Sequence, residues 1–162
     1  MNIPWSDLPV PDAPELFWLA PGDTDPTDEG VEAGDVERAP RRRRALIVED
    51  EIFIALYLET ILQDLGLDVS AIVATGRDAV ETAIRTEPDM IFMDVNLRGD
   101  IDGVEAARQA LAVLDVPVIF VTAYGDEATL RRIDAVAPNA PVLQKPPQTA
   151  TLAAAIMKVG RN

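Results

Sequence analysis

Apolar residues gather in short unbroken runs along much of this chain. Ala45-Leu46-Ile47-Val48, Met90-Ile91-Phe92-Met93 and Val118-Ile119-Phe120-Val121 show no polar alternation, and Val142-Leu143 is a shorter run of the same kind. Runs of this length predict strands buried on both faces, as in a parallel sheet covered by helices. Leu67 to Ala74 predicts one further strand. Between the runs the apolar period changes to that of a helix. Ile54, Leu58, Ile61 and Leu65 form one stripe, with Gly66 placed as a left-handed cap. Thr75 and Asp78 have capping-box spacing, ahead of a second helix that runs to about Arg85. Gly103 to Leu114 predicts a third helix, and Asp126 to Val136 a fourth with Leu130 and Ile133 inward. Leu152, Ile156 and Val159 mark the last. Strand and helix alternate five times, which predicts an α/β fold with a doubly wound parallel sheet.

In such sheets the working residues stand just beyond the carboxyl ends of the strands. Here those positions hold Glu49-Asp50, Asp94, Thr122 and Lys145. Crowded carboxylates repel, and a hard divalent cation relieves the repulsion. A lysine adds fixed positive charge, and a threonine hydroxyl donates to an oxygen. The set suits a phosphoryl group carried on Asp94, because phosphoryl transfer needs mainly positioning and charge neutralisation. Taken singly, each residue also has an ordinary role. The acids favour a helix start, Asp94 suits a turn, Thr122 a helix cap, and Lys145 a surface.

Composition narrows the chemistry. With 28 acidic and 14 basic residues the chain carries a formal charge of −14, which argues against nucleic-acid binding by the chain as a whole. It has no cysteine and no histidine. Disulfides, thiol chemistry, the usual zinc sites and a phosphohistidine on this chain are therefore excluded, and any metal must be bound by oxygen. No run approaches a transmembrane span and the N-terminus lacks a signal-peptide pattern, so a soluble, cytoplasmic protein without membrane contact is expected.

Residues 1–44 form a distinct segment. The first 40 residues hold ten acids, one base and seven of the thirteen prolines. This reads as a disordered acidic tail. Alternatively, Ala13 to Ala20, with Leu16, Phe17, Trp18 and Leu19, forms one or two helical turns that dock on the domain or a partner. Arg41 to Arg44 follow as a basic linker.

The acidic pair Glu49-Asp50, the strand-end Asp94, Thr122-Ala123 and Lys145-Pro146 each close the correct strand in order. Residues 45–159 thereby resemble the receiver domain of two-component response regulators. The resemblance implies a flavodoxin-like sheet of order 2-1-3-4-5 with five helices. It makes Asp94 the phosphoacceptor, with Asp50, Asp94 and the Asn96 carbonyl as Mg²⁺ ligands and Glu49 acting through water. Thr122 and Lys145 become phosphoryl ligands, and the Lys145-Pro146 bond is expected cis. The implied donor is a histidine kinase. With three residues after Val159, a stand-alone receiver is expected. Its output is then a protein contact or service as a phosphate sink, and phosphorylation-dependent dimerisation belongs to the same picture.

Two departures stand out. Arg98 takes a place where many receivers have proline, and the loop Asn96–Gly103 looks one residue longer than the common form. With Phe120 to Gly125, this loop resembles a subgroup partnered with HWE-type kinases. Val142 stands where most receivers have an aromatic switch, which makes Tyr124 either the replacement switch or an ordinary loop aromatic. Two rival readings remain. One is a receiver-like binding module that is never phosphorylated. The other is a Mg²⁺-dependent phosphatase of the haloacid-dehalogenase type, which normally has a second aspartate where this chain has Asn96.

Overall fold

The computed structural model of the protein describes residues 41–123 and 125–160. The Ala13–Ala20 segment, both tryptophans and Tyr124 lie outside the described residues. Among the described residues, strand and helix alternate five times. The strands are β1 (Arg44–Val48), β2 (Asp68–Val73), β3 (Met90–Met93), β4 (Val118–Thr122) and β5 (Val142–Gln144). The helices are α1 (Ile52–Asp64), α2 (Gly76–Thr86), α3 (Gly103–Leu111), α4 (Glu127–Val136) and α5 (Thr149–Val159). All strand pairs are parallel, in the order β2-β1-β3-β4-β5.

The unbroken apolar runs have a simple cause. Side chains alternate across a strand, and here both faces are covered. Ala45, Ile47, Met90, Phe92, Ile119 and Val121 pack with Leu58 and Leu62 of α1 and Leu152 and Ile156 of α5. Leu46, Val48, Ile91, Met93, Val118 and Phe120 pack with Ala79 and Ala83 of α2, Ala107 of α3 and Ile133 of α4. Each fully buried large side chain stabilises the fold by about 1.5–3 kcal/mol before entropy is charged against it. β2 lies at an edge and is half-buried, which accounts for its mixed sequence.

Local signals hold at most element ends. Gly66 has φ +82 just past α1. Thr75 caps α2, accepting from the Asp78 amide and donating to the Asp78 carboxylate at 2.8 Å. Two expectations are corrected. The third helix ends at Leu111, before Leu114. Leu130 is 41% exposed, while Ile133 alone on α4 is fully buried. A helix covering the outer part of a sheet needs only a narrow apolar stripe, and one turn of α4 provides it.

Candidate functional site

Register brings the site together. Val48 pairs with Met93, so the residues that follow, Glu49 and Asp94, leave the sheet side by side. Met93 pairs with Phe120, and Thr122 pairs with Gln144, which precedes Lys145. Main-chain bonds extend the alignment past the strands. The Asp94 amide donates to the Val48 carbonyl at 2.9 Å, and the Lys145 amide to the Thr122 carbonyl at 3.0 Å. Alternation decides which side chains meet. Glu49, Asp94 and Lys145 stand two residues beyond Ile47, Phe92 and Leu143, all packed on the α1 and α5 side. Thr122 continues the Phe120 side and is buried.

At the centre is the Lys145 ammonium. It donates to Asp94 Oδ2 at 2.8 Å and to Glu49 Oε1 at 2.7 Å, and lies 3.7 Å from Glu51 Oε1. The Lys145 side chain is only 7% exposed. Burial alone would lower its pKa, but the bonds to Asp94 and Glu49 outweigh that and hold it above the usual lysine value. Burial raises the Glu49 pKa, and the lysine only partly offsets the shift. Both Glu49 oxygens lie 2.7 Å from the ammonium, and Oε1 accepts its hydrogen bond. Asp94 Oδ1 accepts from the Asn96 amide at 3.2 Å. The Lys145-Pro146 bond is cis, as expected.

One carboxylate oxygen from each of Glu49, Asp50 and Asp94 lies within 4.8 Å of the others. With Glu51, four carboxylates face two cations, Lys145 and Arg98, among the described residues. This excess of negative charge and its oxygen-only donors fit a small hard cation that keeps part of its water shell. Glu49, Asp50, Asp94, Thr122 and Lys145 thus gather at one edge of the sheet. Asn96 adjoins them through its main chain.

Three contacts were not readable from sequence. Arg98 Nε lies 2.8 Å from Asp50 Oδ2. Arg132 reaches Asp102, the N-cap of α3, at 2.6 Å. A Cβ on Gly103 would lie 1.8 Å from the Asp94 carbonyl oxygen. The altered position at Arg98 was a visible signal, although its partner was not.

Known proteins agree with this geometry. The chain is 37% identical over 94 residues to the phyllosphere-induced regulator PhyR of Methylorubrum extorquens, covering 57% of this chain and 35% of that protein. It is 34% identical over 93 residues to a protein-glutamate methylesterase/protein-glutamine glutaminase of Carboxydothermus hydrogenoformans, covering 57% of this chain and 26% of that one. It thus spans about a third or less of these two relatives. Among solved structures, the signal receiver domain of a modulated diguanylate cyclase from Desulfovibrio desulfuricans matches with TM-score 0.68 at 35% identity, over 73% of this chain and 93% of that one. The family model described as the response regulator receiver domain matches residues 45–157. With those residues matched, and with the expected sheet order and strand-end cluster in place, this chain belongs to the response regulator receiver domain family.

Proposed function

We propose that this protein is a phosphorylation-dependent signalling switch that accepts a phosphoryl group on Asp94 from a kinase phosphohistidine. The observation that carries the reading is the buried Lys145 ammonium, bonded at once to Asp94 and Glu49 beside the Asp50 carboxylate. In the transfer the P–N bond of the donor breaks as an Asp94 oxygen bonds to phosphorus, and the electron pair returns to the donor imidazole. Asp50, Asp94 and the Asn96 carbonyl would hold Mg²⁺, with Glu49 acting through water. The ion supplies neutralisation of the phosphoryl charge. Lys145 orients the Asp94 carboxylate and then binds a phosphoryl oxygen, as does the Thr122 hydroxyl. The chain acts as substrate and switch, without turnover of a separate substrate.

The donor is a histidine kinase, and the loop from Asn96 to Gly103 favours one of the HWE type. Tyr124 is proposed as the switch aromatic. Supporting this, Val142 offers no ring in the fifth strand. Output passes through a protein partner, a phosphorylation-dependent dimer, or competition for phosphoryl groups.

Phosphotransfer from a labelled HWE-type kinase with Mg²⁺ tests the reading. Label is expected on the parent protein and absent from Asp94→Ala. Beryllofluoride with Mg²⁺ is expected to shift amide resonances around residues 94–98 and 122 in the parent but not in Asp94→Asn. Equal shifts in both, with no label transfer, would instead establish a binding module that is not phosphorylated.

A further inference from the structure

Arg98 is the one cation that touches Asp50 among the described residues, with Nε 2.8 Å from Oδ2. The pair is asymmetric. The Asp50 side chain is 11% exposed and that of Arg98 is 81% exposed, so the guanidinium covers the carboxylate from the solvent side. The backbone fixes this placement. Arg98 forms a parallel main-chain bridge with Thr75, ahead of the α2 cap. Gly99 follows with φ +120, a conformation that favours glycine. Asp100 then pairs with Arg77 of α2. The Thr75 bridge and the Gly99 turn therefore hold the arginine over the carboxylate, and the exposed Arg77–Asp100 pair adds little to that hold.

Asp50 is one of the three acids whose oxygens converge within 4.8 Å. A carboxylate oxygen in contact with a guanidinium has part of its charge already compensated. We propose that Arg98 is an intramolecular competitor of the divalent cation for Asp50. Its guanidinium stabilises this acid in the metal-free form and must leave Oδ2 when the cation binds. Metal occupancy is thereby linked to the state of the 96–103 loop. By reciprocity, whatever tightens the Arg98–Asp50 pair weakens the cation to the same degree. Arg98 acts here as a positioning residue. The inference rests on the proposed placing of Mg²⁺ at Asp50 and Asp94.

Calorimetric titration of Mg²⁺ into the full chain at low ionic strength tests it, comparing the parent with R98Q, R98A and R77Q. R77Q removes the same charge from the neighbouring Arg77–Asp100 pair, which does not touch Asp50. R98Q and R98A are expected to bind Mg²⁺ about two- to fivefold more tightly than the parent, the range for relief of one partly exposed ion pair. R77Q is expected to match the parent. Independently, the Arg98 Nε–Hε resonance of the parent should move as Mg²⁺ is added. Unchanged affinity in R98Q, or an equal gain in R77Q, would overturn the inference while leaving the metal site intact. A parent protein that binds no Mg²⁺ would overturn the metal site and this inference together.

Discussion

The Lys145 ammonium lies 2.8 Å from Asp94 Oδ2, across 51 residues of chain. The same nitrogen bonds Glu49 at 2.7 Å. One buried cation therefore compensates two buried acids. Breaking a buried pair costs more than the pair itself contributes, because the survivor is left charged and desolvated. Lys145→Ala is expected to lower the unfolding free energy by about 3 kcal/mol in metal-free urea titrations. Glu49→Gln added to that variant should restore part of the loss, since it removes one stranded charge. No loss in the single variant would mean that the lysine does not stabilise the cluster.

Gly103 makes a prediction of a different kind. Its Cα side faces the Asp94 main chain so closely that a Cβ would stand 1.8 Å from the carbonyl oxygen. That atom is backbone and cannot turn aside. Gly103→Ala is expected to cost about 3 kcal/mol or more, or to shift Asp94 out of line with Glu49. Gly125, on the opposite side of Thr122 in sequence, has nothing within 4 Å of a built Cβ. Gly125→Ala should melt within a few degrees of the parent. Thermal melts of the two variants, with amide shifts for residues 93–96, check both statements.

The site's principal acids, threonine and lysine were readable from sequence because register is a consequence of burial. The three apolar strands β1, β3 and β4, covered on both faces, have little freedom to slip, since a one-residue slip would exchange the two covered faces. The residues after Val48, Met93 and Gln144 then had to emerge near one another. Asp102 and Asp126 were less legible in their roles, because a single acid before a helix marks a cap only weakly. Arg98–Asp50 and Arg132–Asp102 were not legible at all. They depend on the path of the loop after Asp94, and long side chains in loops carry no period that a sequence can expose. The Leu130 expectation failed for a related reason. Helical spacing marks a stripe but not its width.

Asp102 joins the loop beside the site to two helices. Its Oδ1 accepts from the Glu105 amide at 2.9 Å, and its Oδ2 takes Arg132 at 2.6 Å. Losing an N-cap acid costs about 1 kcal/mol, whereas an exposed ion pair contributes about 0–1 kcal/mol. Asp102→Ala should therefore destabilise by about 1 kcal/mol, and Arg132→Ala by clearly less. A double-mutant cycle in urea is expected to give a small coupling that shrinks with added salt. A loss in Arg132→Ala equal to that in Asp102→Ala would make the ion pair, and not the cap, the dominant contact.

Stability should depend on pH at the start of α4, directly after the segment that carries Thr122. Asp126 accepts from the Ala128 and Thr129 amides, both at 3.0 Å, and from the Thr129 hydroxyl at 2.8 Å. The Thr129 amide bond, followed by the hydroxyl bond, holds the Asp126 carboxyl below its ordinary value of 3.8. A depressed folded-state pKa means that the unfolded chain binds the proton first. The contribution is thus fully present above 3.8 and is lost as pH falls through the lower folded value. Asn at the same position caps a helix without titrating in this range. The stability advantage of the parent over Asp126→Asn should therefore be constant from neutral pH down to about 5 and diminish below about 4, as the acid's ordinary range is crossed. Paired melts across that range, with a carbon-detected titration of the Asp126 carboxyl, measure both quantities. An advantage that grows as the pH falls would show that the carboxylate is not stabilised by the cap.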